Sequence, residues 1–291
     1  MTYQLILGDR SYSSWSLRGW LLFENFGIPV NSRFVHFETR DVREQMADFA
    51  PARTVPTLIT PEGASVSDSL PIAEELASRH PDAGIWPTDP LARATARTLA
   101  AEMHAGFAAL REDCPMNLRV AYSGYAPSEA VTADVRRLEE IWGHARTTCT
   151  PSGPWLCGDY CAADVFYAPV AARIAGYGLD VNEQAKAYVA AHLSDPAFRR
   201  WRAMGLIQGE SLPWYAREYA TRDWPGPPPL AAKAVDGGMA ENETCPYSGK
   251  PVTHLMEIEA RIFGFCNAFC RDKTVADPAA WPAFMAIYGL M

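Results

Sequence analysis

The chain has 291 residues, length for about two ordinary domains, and its 48% hydrophobic and 21% charged residues are the balance of a packed globular protein. A disordered or fibrous chain is excluded. With 26 Lys+Arg against 34 Asp+Glu the net charge is -8, so no general positive field attracts nucleic acid or an anionic membrane surface, and neither is expected as a partner.

Tyr3 to Leu7 is a short β-prone run, and a helical pattern opens at Ser16 with Leu17, Trp20, Leu21 and Phe23. Asn31 to Phe37 alternates as a second strand, and Arg43 to Phe49 is compatible with a helix, making one βαβ unit. Thr57 to Thr60 is a third strand. The Glu62-Gly63 turn leads to a fourth, and a helix follows from about Ser69 to Arg79. Residues 1–80 thus read βαβαββα. His80 to Pro90 carries Pro81, Gly84, Pro87 and Pro90 and marks a boundary. Beyond it, residues 89–222 read as an all-helical domain, alanine-rich from Leu91 to Leu110, with Val131, Val135, Leu138, Ile141 and Trp142 at helical spacing. Residues 223–244 are a Pro/Gly-rich linker, and 245–291 form a small Cys-containing unit. No run approaches the ~18 apolar residues of a membrane span. Met1 to Arg10 has no basic segment ahead of a hydrophobic run, and the expected location is the cytoplasm.

Three short segments carry chemistry. The loop Ser11-Tyr12-Ser13-Ser14 places hydroxyls just before a helix whose first N–H groups have no intrahelical partner, where Ser13 or Ser14 is also an ordinary N-cap. At Val55-Pro56-Thr57 a proline enters a strand, a position suited to a cis bond that turns the Val55 carbonyl and N–H outward to pair with an extended peptide. Asp68-Ser69 opens a helix, offering a hydroxyl and free N–H groups to a carboxylate and Asp68 to an ammonium. Together they suit an amino-acid-like ligand.

The order βαβαββα, the serine loop, Val55-Pro56 and Asp68-Ser69 resemble the thioredoxin-like glutathione-binding domain of cytosolic glutathione S-transferases. Gly158-Asp159-Tyr160-Cys161-Ala162-Ala163-Asp164 is similar to the capping box that opens a core helix of that family, with Cys161 where the family has Ser or Thr. The resemblance covers residues 1–222, and the serine loop with Trp15 and Arg18 looks closest to bacterial serine-type and zeta-class members. It implies an α/β thioredoxin-like domain followed by an all-α domain. It also implies glutathione as co-substrate, held by Val55, Pro56, Asp68 and Ser69, and a homodimer. A loop serine would activate the thiol; alignment on Arg18 ranks Ser11 first, then Ser13, then Ser14. The family's electrophile pocket draws on the first long helix of the helical domain, here Glu102 to Phe107 and Arg111, so His104, Phe107 and Arg111 are the candidates. Gly106 is read as interior to that helix, costing about 1 kcal/mol against Ala. Interdomain packing, with His104 a satisfied core histidine, would account for the same residues. Addition of the thiolate to a small hydrophobic electrophile is the leading activity. A zeta-like cis-trans isomerase using an acidic substrate with Arg111 and Arg119, or a non-catalytic, metal-responsive scaffold, are the alternatives.

Seven cysteines fall in two populations. Cys114, Cys149, Cys157 and Cys161 are scattered, whereas Cys245, Cys266 and Cys270 are grouped. The grouped set lies in a segment resembling the YHS and TRASH treble-clef-like metal modules, through Cys-Pro-Tyr-Ser-Gly, Phe-Gly-Phe-Cys and a later Asp-Pro. The resemblance implies one metal, zinc ahead of copper or iron, with His254, Asp272 or water as fourth ligand. Buried free thiols in a docked appendage would fit the same residues. A unit this small, however, is short of apolar core without a staple.

Overall fold

The computed structural model describes residues 2–38 and 41–289. The N-terminal part runs β1 (Tyr3–Leu7), α1 (Ser14–Glu24), β2 (Val30–Phe34), α2 (Val42–Gln45), β3 (Thr57–Ile59), β4 (Ser65–Ser67) and α3 (Ser69–Arg79). The four strands lie in the order β2-β1-β3-β4, with β2 parallel to β1 and the other two pairs antiparallel. Leu5, Ile6 and Leu7 of β1 are fully buried, which is why an apolar run rather than an alternating one forms this central strand. One sheet face packs on α1 and α3; Ile6 on the other meets Val35, Met46, Phe49 and Ala52. The second strand is shorter than its alternation suggests. Phe37 leaves the sheet to pack where a Cβ on Gly8 would stand, 2.4 Å from its ring. The helix expected over 43–49 is α2 followed by a 3-10 turn, Ala47–Phe49.

Helices α4 (Pro90–Ala105), α5 (Ala108–Asp113), α6 (Glu129–Cys149), α7 (Ala162–Tyr177) and α8 (Glu183–Ser194) follow, with β5 (Ala121–Ser123) inserted before α6. Asp89 and Ser128 cap α4 and α6 by accepting from Ala92 and Val131 N–H groups. The centre of this layer is α7, in which every residue but Ala175 is buried, packed on α1 and α4. Its start is the motif read from sequence: Asp164 accepts from the Cys161 N–H at 3.0 Å and the Cys161 sulfur faces the Asp164 N–H. Asp164 is buried but also accepts from Tyr188 Oη and the Leu156 N–H. Burial pushes its carboxyl up to about 6, against those three donors.

The remaining elements are α9 (Pro196–Ile207), β6 (Ala220–Arg222), β7 (Ala232–Val235), β8 (His254–Ile258), β9 (Arg261–Phe265), α10 (Ala268–Ala276) and α11 (Pro282–Tyr288). Two compact units result, one of residues 1–193 with 210–225 and the other of 194–209 with 226–291. In the first, β6 returns to pair with β5. In the second, β7-β8-β9 form an antiparallel sheet against which α10 packs, and α9 packs on α10. The stretch read as a linker therefore supplies an edge strand. Phe263, Phe265, Phe284 and Trp281 make an aromatic core there, and Arg199 of α9 forms a two-pronged ion pair with Asp277.

Candidate functional site

A cleft of about 880 Å³ in the first unit is lined by the start of α1, the Arg53–Val55 approach to β3, Asp68 and the α4–α5 region, a volume suited to a drug-sized ligand. The three serines of the loop are placed differently. Ser11 is buried at 1% exposure, and its amide donates to the Asp9 carboxylate; it does not line the cleft. Ser13 is the N-cap of α1, its Oγ accepting from the Ser16 N–H and donating to Ser16 Oγ. Ser14, half-buried in the cleft wall, accepts from Arg173 Nη2 at 3.3 Å. Tyr12 also lines the cleft, but its hydroxyl is engaged. Its Oη accepts from the Leu212 N–H and its ring lies tilted against Tyr215, 4.8 Å between centroids.

On the opposite wall the Val55–Pro56 bond is cis and Val55 lines the cleft, while Pro56 is buried behind it. Asp68 caps α3 with φ 77° and ψ 151°, a region that strongly favours glycine. Its carboxylate accepts from the Ser69 N–H at 2.6 Å and lies 3.5 Å from His104 Nε2. A costly backbone held at a cleft wall points to a ligand role for that side chain. Ser69 is fully buried behind it, its hydroxyl 3.4 Å from Asp68.

The candidate second-substrate residues separate. Arg111 lines the cleft, whereas His104 and Phe107 stand behind the wall, His104 edge-on to Trp15 at 5.4 Å. The reading of Gly106 as helix interior is corrected. It caps the end of α4 with φ −107° and ψ −166°, and Phe107 follows in the left-handed region. A Cβ on Gly106 would stand 2.8 Å from the Glu102 carbonyl, so backbone proximity is the reason for glycine. Arg111 ties this break by donating to the His104 and Gly106 carbonyls. Arg18 and Arg111 both approach the Trp15 ring, at 4.8 and 4.6 Å. Arg173, Arg53, Trp15 and Tyr215 complete a wall that sequence reasoning did not assemble. The available signal was Arg173 itself, the one cation in a buried helix whose only other charged residue, Asp164, belongs to its cap.

In the second unit the Sγ atoms of Cys245, Cys266 and Cys270 lie within 4.8 Å of one another, with Cys266 to Cys270 at 4.0 Å. A tight turn positions Cys245, the end of β9 gives Cys266, and the first turn of α10 gives Cys270, whose N–H is held by the Asn267 cap. Ser248 Oγ and Asn267 Nδ2 donate to the Cys266 sulfur. Burial raises the Cys245 thiol, but hydrogen bonding, chiefly from the N–H groups of Cys266 and Tyr247, outweighs it and brings the thiol below its ordinary value. Burial holds Cys270 above its own. Tetrahedral thiolate ligation needs sulfurs about 3.8 Å apart, so the set fits a metal with a small closing movement. Among the described residues neither His254 nor Asp272 joins the cluster; the Asp272 carboxylate is taken by Arg271.

A thioredoxin-like domain followed by a helical domain, with the cleft at the start of α1, is the architecture of the glutathione S-transferases. Residues 12–79 match the family model of the glutathione S-transferase N-terminal domain. A probable maleylacetoacetate isomerase of Caenorhabditis elegans is 26% identical over 178 residues, 60% of this chain and 79% of that protein. Among solved structures, a glutathione transferase homologue from Burkholderia with bound glutathione superposes with a TM-score of 0.54 and 21% identity, over 70% of this chain and 98% of its own. Glutathione transferase Omega 3C from Trametes versicolor gives 0.52 and 18%, over 69% and 88%. At these identities the structural likeness is one of fold.

Proposed function

We propose that the protein is a glutathione S-transferase that holds the glutathione thiol as thiolate and adds it to a small hydrophobic electrophile. One observation carries this reading: a single cleft is lined by a serine at the N-terminus of α1, by Val55 and by Asp68. The peptide would pair with the Val55 backbone, and the γ-glutamyl end would sit at the start of α3, its ammonium on Asp68 and its carboxylate toward Ser69. The cysteinyl sulfur then faces the start of α1. There a hydroxyl donor and the positive end of the helix favour the thiolate. Titration calorimetry with glutathione tests this directly, and a protein that does not bind it is not a glutathione transferase.

A glutathione-dependent cis-trans isomerase is the second reading, favoured by Arg111 and Arg173 in the same wall, which suit an acidic substrate, and by the isomerase relative. Arg119 does not line the cleft. Turnover of an aryl halide against isomerisation of an acidic unsaturated diketone separates the two. The transferase is further proposed to be a cytoplasmic homodimer, as the resemblance implies, and sedimentation at micromolar concentration checks its association. Residues 245–291 are proposed as a treble-clef-like metal module in which Cys245, Cys266 and Cys270 hold one ion, zinc ahead of copper or iron. The ion would tie the turn, β9 and α10 together, with water or another external ligand in the fourth position. A passive scaffold role predicts metal binding without glutathione binding.

A further inference from the structure

The cleft wall also contains a buried cation, Arg173. Arg173 is 4% exposed in the C-terminal third of α7, and no carboxylate pairs with it among the described residues. Its guanidinium is oriented by two carbonyls. Nε donates to Cys114 at 2.9 Å and Nη1 to Pro169 at 3.3 Å, which aims Nη2 at Ser14 Oγ. The other loop serines are differently engaged: Ser11 is away from the cleft, and Ser13 has given its one hydrogen to Ser16 Oγ. Ser14 accepts from Arg173, and its own hydrogen meets no acceptor among the described residues, although the side chain lines the cleft.

We infer that Ser14 is the catalytic hydroxyl that donates to the glutathione sulfur, and that Arg173 is the positioning residue that polarises it; both roles rest on the glutathione reading above. A hydroxyl that accepts from a cation is a stronger donor, and in a buried setting that gain passes along the chain of bonds. The thiol proton leaves to water, and the thiolate left behind accepts from Ser14. The groups facing Arg173 reinforce the effect. Arg18 and Arg111 are cations, while burial holds the Cys114 thiol at about 11 and keeps Tyr177 and Tyr215 above their ordinary values, so all three are neutral near pH 7. Burial lowers Arg173 itself only to about 10, so it keeps its charge there.

The test is a double-variant cycle read by thiolate absorbance of bound glutathione against pH. Ser14→Ala and Arg173→Gln should each raise the thiol pKa by about 1 unit. The double variant should go no further than either, and Arg173→Lys should recover part of the shift. In turnover, the loss should fall on kcat rather than on the KM for glutathione. Equal, additive shifts from the two positions would overturn the coupling, as would an Arg173→Gln protein whose only change is a lower melting temperature. If Arg173→Gln fails to fold, Ser14→Ala decides, since an unshifted thiol there removes Ser14 as donor. Absence of glutathione binding by the unmutated protein instead overturns the underlying reading and takes this inference with it.

Discussion

Asp68 concentrates in one residue the competition between folding and binding. Its left-handed backbone costs of order 1 to 3 kcal/mol, offset in part by the cap bond to the Ser69 N–H. If that conformation serves to meet the ammonium of glutathione, Asp68→Asn, which keeps the side-chain shape and removes the charge, should weaken binding by about 1 to 3 kcal/mol. N-acetylated glutathione should lose a similar amount against the unmutated protein and little more against the variant; calorimetry on the four pairs checks this. His192 makes the opposite kind of demand. It is buried in α8 between the rings of Tyr188 and Trp155, and Nε2 has no partner among the described residues. Burial pushes its pKa from 6.5 down to about 3. The unfolded chain therefore takes up this proton first: the contribution of His192 is complete above about pH 6.5 and is lost on acidification at about 1.4 kcal/mol per pH unit until about pH 3. Asp164 works the other way, its raised carboxyl favouring the folded state most below about pH 3.8 and losing that contribution as pH rises toward 6. His192→Phe should accordingly flatten the acid limb of stability, measured by urea denaturation across that range.

At the scale of elements, α7 governs the molecule's first unit, and its N-terminus is where the chain departs from the pattern it resembles. The Asp164 N–H donates to the Cys161 carbonyl at 2.9 Å, and because a thiol is a weak acceptor the Cys161 sulfur adds little to that bond, while the reciprocal bond from Asp164 is intact. Cys161→Ser should stabilise the fold by about 0.5 to 1 kcal/mol, seen as a raised urea midpoint with unchanged slope; a lowered midpoint would mean that the apolar packing of sulfur outweighs the better acceptor. The βαβαββα order and the α7 cap were legible because each depends on local chemistry: an apolar central strand, a proline entering β3, a carboxylate three residues past the cap. Arg173 was not. In a helix buried on all sides periodicity carries no direction, so nothing local says that this cation reaches a serine 159 positions away. Gly106 was misread for a related reason, since alanine-rich sequence continues on both sides and α4 ends only because Gly106 turns extended and Phe107 left-handed, a backbone path that sequence periodicity does not show.

At the scale of the whole chain, the grouping of α9 with residues 226–291 is the feature least visible in sequence, because α9 has the same amphipathic character as the helices before it and its partner, α10, lies far along the chain. The Arg199–Asp277 pair shows how the grouping is maintained: both side chains are largely withdrawn from water, and the two parallel bonds fix their geometry. This alters the result expected from metal removal. If Cys245, Cys266 and Cys270 hold an ion, its binding free energy is largely folding free energy of the turn, β9 and α10. Loosening α10 then loosens what packs on it. Chelation, or Cys266→Ser, should expose to limited proteolysis not only residues 226–289 but also α9. Glutathione affinity should change little, because its cleft is lined wholly by residues of the other unit. Metal analysis of protein purified without chelator fixes the stoichiometry, expected at one ion per chain. Protease cuts confined to residues 245–289 would mean that α9 is held by its own helical neighbours, and full protection of a metal-free protein would mean that the aromatic core of Phe263, Phe265 and Phe284 suffices and the thiols merely pack.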